Sequence, residues 1–454
     1  MADPHTKVRE VVWSELLPWL MLLRSVRISL MARVLVLGAA GLLMTALGWR
    51  LLAEAFQSST DPVIAGWQHS TNLNIWVSAV QTKSSFAWLD TSARSATEVF
   101  DSAREWLVQG PLMIWTYFTR PFVSMFDSKL TPVGFAFLML CGIWELLMWG
   151  LFGGAITRIA ALKFTRDEAP GLLAALRHAF SKWFAYSLPP LVALAGASVF
   201  AIQLAILGLI MRVDALAFLV AIAWPFVILL GLMMAVLLIG ALIGWPLMWA
   251  TVSVEGTDAF DALSRSYAYV YHRPWRLLWY AIFSLFLAIA SMFVVKLFAS
   301  SAIALGNWSV DWGLDNVTMR SVVAPDPLPV QAPKIDLKAG PDALMEISIP
   351  APEPSGPTGE LTGMAAATNK MIGFWKGIVA LLVAGYEAGF LWVASVGIYL
   401  LLRRDIDGVQ TGEVFVDQAE EYGMPHLVDD PATGVPEVSP RDPAVPGDVQ
   451  PPPA

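Results

Sequence analysis

Three polar residues stand inside long apolar stretches, where their chemistry is least expected: Glu145, Gln203 and Glu387. An ionisable or amide group at such depth must face other helices, lose its charge or find a partner, which makes it a functional candidate by default. If the three converge on a water-filled path, they can pass a proton or coordinate a cation. If they do not converge, each is a hydrogen-bonding group that fixes helix packing. Gly385 and Gly389 flank Glu387 at a spacing that lets a second helix approach closely. Lys296 and Lys376 fall nearer the ends of their stretches, where snorkelling is open to them, and neither is expected as an ion-pair partner.

Other chemistry is not apparent in the sequence. His5, His69, His178, His272 and His426 are scattered without metal-ligand spacing, and Cys141 is the single cysteine. There is no phosphate-cradling glycine loop and no nucleophile elbow. The sequence therefore predicts no catalytic residue, no metal and no cofactor, and a protein that is not an enzyme.

The elements that must position these residues follow from composition. With 56% hydrophobic and 15% charged residues, a water-soluble globule would be coated in apolar surface, so the bilayer is the expected solvent. About 20 mostly apolar residues cross a hydrocarbon core. Six stretches qualify: 34–54, 133–155, 188–211, 217–250, 278–300 and 373–402. Within the fourth, Pro225 and Pro246 are expected to delimit the crossing, with residues 215–224 partly in the outer interface. Residues 1–33 read as a retained cytoplasmic segment whose stretch 8–30 lies in the headgroup layer. Residues 55–132 form a non-cytoplasmic loop with a helix predicted from Ser84 to Val108 and an aromatic stretch, 111–126, resting on the outer leaflet. Residues 301–372 form a Pro-rich outer loop.

The core, 133–300, contains an internal repeat. Residues 156–184 and 243–271 align without a gap, placing Glu168 with Glu255, Ala175 with Ala262 and Leu176 with Leu263. Each copy places an amphipathic segment beside a long apolar run, in parallel rather than inverted topology. In the first copy Thr165 to Glu168 reads as a capping box with Pro170 in the first turn, and Leu172, Leu173, Leu176, Phe180 and Phe184 share one face. In the second, Asp258 is the expected cap.

Basic residues set the expected orientation. Arg24, Arg27 and Arg33 precede the first span, Arg403 and Arg404 follow the last, and both repeat copies are flanked by Lys and Arg, so both termini are expected in the cytoplasm. Residues 405–454 hold eleven acidic side chains and one Arg, a net −10, so residues 1–404 carry +2 of the −8 total. The acidic stretch from 403 to 454 reads as a disordered cytoplasmic tail. Nothing points to nucleic acid.

The stretches Trp13 to Trp19, Arg158 to Arg177 and Ile398 to Asp407 resemble a family of uncharacterised polytopic bacterial inner-membrane proteins. Pro246 to Ser266 is similar to the membrane domain that accompanies some glycerophosphodiester phosphodiesterases, which is not their catalytic part. The resemblance implies a bacterial cytoplasmic membrane and supplies no catalytic residue. The sequence thus predicts an all-α polytopic membrane protein acting as a non-enzymatic scaffold or accessory subunit. Its partners would be the lipid bilayer and a membrane or cytoplasmic protein. The alternative is a transporter or channel using Glu145, Gln203 and Glu387.

Overall fold

A computed structural model describes residues 17–56, 61, 64, 67, 114–127, 130–313, 363–415, 427–429 and 436–438. The predicted helix from Ser84 to Val108 and most of the Pro-rich loop lie outside the described residues. A 3-10 turn, Pro18–Leu22, leads into α1 (Leu23–Ser29), α2 (Ala32–Ala55), α3 (residues 114–124) and α4 (Pro132–Thr165). Next come α5 (Leu172–Ser181), α6 (Trp183–Ile210), α7 (Asp214–Ile222), α8 (Trp224–Glu255), α9 (Ala259–His272), α10 (Pro274–Asp311) and α11 (Gly363–Asp407). Among the described residues the only strands are Leu427–Asp429 and Pro436–Val438, paired antiparallel.

Six helices, α2, α4, α6, α8, α10 and α11, are long and apolar enough to cross a membrane. Four of them, α2, α4, α10 and α11, contain the apolar stretches 34–54, 133–155, 278–300 and 373–402 and run further; α6 covers 188–211 but for its last residue, and 217–250 is divided between α7 and α8. Helix α11 has 45 residues, about 67 Å at the α-helical rise, against a hydrocarbon core of about 30 Å. Its last turn continues because Arg403 and Asp405 have ion-pair partners there. Pro246 does not end α8, which runs through it to Glu255, and Pro189 and Pro190 fall within the first turns of α6. Residues 214–222 form the separate short helix α7, in the stretch expected before the crossing.

Small residues set the closest helix crossing. A side chain at Gly385 of α11 would lie 2.6 Å from the Leu35 carbonyl oxygen and 2.7 Å from the Ala39 nitrogen of α2, and one at Gly38 would strike Gly385. Gly389 faces Val34 of α2 one turn on, so the pair read from the sequence does bring a neighbouring helix to backbone contact.

Helix α3 differs from expectation. The sequence rests residues 111–126 on the outer leaflet, whereas Ile114 and Phe118 are buried in the main core. The Phe118 ring lies 4.7 Å from Trp149 of α4, 5.6 Å from Trp245 of α8 and 5.9 Å from Trp392 of α11, centroid to centroid. Aromatic rings gain more from such packing than from a polar surface.

The first repeat copy also starts differently. Thr165 is the last residue of α4 and its hydroxyl donates to the Ala161 carbonyl, so no capping box forms; α5 begins at Leu172 after Gly171, with Pro170 outside it. In the second copy Asp258 does cap α9, accepting from the Asp261 N–H at 2.9 Å. Helices α5 and α9 start at Leu172 and Ala259, the same offset that separates Glu168 from Glu255. Ala175 and Ala262 are buried, while Leu173, Phe180 and Phe184 point out of the bundle.

The stretch read as a tail from Arg403 is folded at its start. Helix α11 continues through Asp407, and residues 408–415 fold back against the ends of α4, α6 and α8 instead of leaving the bundle at Arg403.

Candidate functional site

Glu145, Gln203 and Glu387 occupy three separate environments. Glu145 on α4 is 2% exposed, and neither carboxyl oxygen has a hydrogen-bond partner among the described residues. On the same helix, one turn to either side of it, lie Cys141 and Trp149, both fully buried. In the same core the hydroxyl of Tyr117 and the indole nitrogens of Trp149, Trp245 and Trp392 are also buried without hydrogen-bond partners among the described residues. This part of the core is aromatic and tightly packed, with Trp249 and Trp392 centroids 4.0 Å apart.

Glu387 on α11 is paired. Lys296 of α10 brings its Nζ to 2.6 Å from Glu387 Oε1, with the two side chains 24% and 14% exposed. The expectation that Lys296 snorkels away is corrected: a long, flexible ammonium arm reaches a carboxylate more favourably than it reaches a distant headgroup layer. Gln203 on α6 is exposed, away from both acids. The structure does not bring the three together.

The densest polar arrangement lies elsewhere, at the C-terminal end of α8. The last carbonyls of a helix have no partner within it, and here other segments supply partners at and just beyond the helix end. Gly256 adopts a left-handed conformation, φ 66°, and its N–H returns to the Val252 carbonyl. Such a turn suits glycine, and a side chain there would also strike the Phe415 ring. The Ser253 carbonyl accepts from Arg158 of α4 at 3.1 Å, that of Val254 from the Phe415 N–H at 2.7 Å, and that of Gly256 from Lys182 at 2.8 Å. Arg158 is 1% exposed and also donates to the Phe415 carbonyl at 2.8 Å. Lys182 lies 5.8 Å over the Phe415 ring.

Glu255, the last residue of α8, joins α9 and α11 to this end. Its side chain is 7% exposed. Tyr399 of α11 donates to Oε1 at 2.5 Å, Arg403 brings Nε to 3.1 Å from the same oxygen, and Arg265 of α9 lies 2.5 Å from Oε2. Arg265 is also held by Asp261 at 3.3 Å. Beside this group Tyr269 of α9 donates to Asp407, and Tyr280 and Arg276 of α10 reach Asp405 at 2.8 and 2.7 Å. Burial first, and then the bond to Asp407, hold the Tyr269 hydroxyl above the ordinary phenol range. A buried layer connects α4, α6 and α8 just inside: Ser253 donates to Thr157 at 2.6 Å and lies 2.9 Å from the Tyr186 hydroxyl.

Of the repeat residues, then, Glu255 is a hub and Glu168 is exposed, on a loop. Arg33 binds the neighbouring carbonyls of Ala169 and Pro170 at 2.7 and 2.5 Å, and Arg24 reaches Asp167 at 3.2 Å. The Lys163 hydrogen bond and charge hold the Asp167 carboxyl below its usual range. Sequence reading singled out Glu255 only as a repeat position. Its partners Arg403 and Tyr399 stand four residues apart on one face of α11, a signal readable only once the two helix ends are known to meet.

Among the described residues no group of His, Cys, Asp and Glu could hold a metal ion. Taken together, fold and site define a helical protein with six helices able to cross a membrane and a polar knot at one end of the bundle. No family model, curated protein or solved structure matches the chain.

Proposed function

We propose that this chain is a non-enzymatic scaffold or accessory subunit of a bacterial cytoplasmic membrane, a member of the uncharacterised polytopic family it resembles. The observation that carries the reading is the dispersal of its intramembrane polar groups. Glu387 is neutralised by Lys296, Gln203 stands on the bundle exterior, and Glu145 is buried with no hydrogen-bond partner among the described residues. A conduction path needs polar groups in series along a hydrated route, and this arrangement favours packing over passage.

The orientation adopted here, with both termini in the cytoplasm, rests on the Lys and Arg bias. The polar knot then lies on the cytoplasmic face. The matching starts of α5 and α9 support descent from a duplicated unit, and the outward Leu173, Phe180 and Phe184 suit an interfacial helix contacting lipid.

The test is isolation of the tagged full-length protein from its native membrane after mild crosslinking. A stoichiometric protein partner is the expected result. Ion or proton flux in reconstituted vesicles that is abolished by Glu145→Gln or Glu387→Gln in folded protein would overturn the reading in favour of transport.

A further inference from the structure

We infer that the α6–α8 hairpin is a docking surface for a second copy of this chain, with Gln203 at its centre; the inference rests on the membrane reading above. The two helices pack along each other, and their most apolar stretches are left largely uncovered by the rest of the bundle. In their most apolar 18-residue windows only 11% and 17% of residues are buried, against 50% in α2 and in α11. Lipid alone would account for the apolar side chains, and exposure of Val199 or Ile206 asks for nothing more.

Gln203 is different. It is exposed two turns from the end of α6, within an otherwise apolar surface, and has no hydrogen-bond partner among the described residues. The only other polar side chain on this half of α6, Ser198, donates to its own helix at the Leu194 carbonyl. Hydrocarbon offers an amide nothing in place of water, so leaving it unpaired is costly. Side-chain amides are among the groups that hold membrane helices together.

The chemistry favours a second copy over an unrelated helix. A carboxamide carries both donor and acceptor and so complements itself. A two-fold axis along the bilayer normal brings Gln203 of each copy to the same depth, where each amide N–H can donate to the other's carbonyl. A contact between like patches closes on itself as a dimer, the commonest symmetric assembly. Between Pro225 and Trp245 helix α8 carries no polar side chain, so one amide pair satisfies the whole exposed face.

Cysteines placed singly in the full-length protein, in a Cys141→Ala background and in native membranes, test the geometry. Val199→Cys, Gln203→Cys and Ile206→Cys should give disulfide-linked homodimers under mild oxidation. Ala193→Cys and Ala197→Cys, which face inward, should not. In the otherwise unaltered chain, Gln203→Leu should raise the dimer dissociation constant in vesicles about five- to thirtyfold, the range set by an interhelical amide pair of about 1–2 kcal/mol in all. Absence of crosslinks at all three outward positions, crosslinks to a different polypeptide, or an unchanged dissociation constant in Gln203→Leu would overturn the inference. Recovery of a heterologous partner by a strictly monomeric chain would overturn it while leaving the scaffold reading intact. A dimer that brings no other protein would do the reverse.

Discussion

Replacing Glu255 by alanine should cost far more than replacing its repeat counterpart Glu168. The Glu255 carboxylate is 7% exposed and touches two guanidinium groups and a phenol. Its pairing with Arg403, itself 14% exposed, is the main term, because alanine would strand that cation in a desolvated position. Removing one partner of a buried pair costs about 3–5 kcal/mol. The Arg265 contact adds little, since Arg265 is 40% exposed and keeps Asp261. Glu255→Gln retains an acceptor for Tyr399 and should fall at about half the alanine loss. Glu168, exposed on its loop, should stay within about 0.5 kcal/mol. Denaturation in detergent micelles, followed by loss of the folded peak in size-exclusion chromatography across a denaturant series, ranks the three variants. Equal losses for Glu255→Ala and Glu168→Ala would refute the hub and favour symmetric repeat roles. A cycle combining Glu255→Ala with Arg403→Met should recover part of the loss.

Other perturbations follow from the packing. Gly385→Ala drives a methyl group into the Leu35 and Ala39 backbone and should cost about 1–3 kcal/mol or more in the same assay, whereas Gly389→Ala meets the Val34 side chain and should cost less. Glu145→Met replaces an unpartnered buried carboxyl by an apolar group of similar length and should leave stability unchanged or raise it; a loss above about 2 kcal/mol would mean the carboxyl has an essential partner. Phe415→Ala should free the returning segment and speed proteolysis after Arg404, read by the appearance of a shortened chain. Burial pushes the Tyr267 hydroxyl up to about 12. Its folded value exceeds its unfolded one, so its contribution is complete below about pH 10 and lost as pH rises through about 12. Tyr267→Phe should flatten the stability curve in that window.

The hydrophobic stretches were legible because crossing a membrane is a one-dimensional requirement that a sliding window can see. Gly385 and Gly389 were legible for a related reason: their spacing marks one helix face, and α2 lies against it. The site was not legible in the same way. Mid-span depth marks Glu145, Gln203 and Glu387 equally, yet helix rotation decides their fates, and rotation depends on partners such as Lys296 that the local sequence does not name. Thr165 failed as a cap because α4 runs three turns past its apolar stretch on residues such as Arg158, whose charge is accommodated by carbonyls from distant segments. Helix α3 was misread because its Trp, Tyr and Phe content suits a headgroup layer as well as an aromatic core.

The returning segment also bears on how the chain is made. Carbonyls at the end of α8 receive partners from Arg158, Lys182 and Phe415, and the last of these is synthesised some 160 residues after the helix it completes. Until residue 415 has left the ribosome, the Val254 carbonyl and one face of Arg158 must be served by water. The bundle therefore cannot reach its final state helix by helix as it inserts. Its closure is a late event, timed by the arrival of residues 408–415, and a chain terminated at Asp407 would carry all six of the long apolar helices among the described residues and still lack its closing contact.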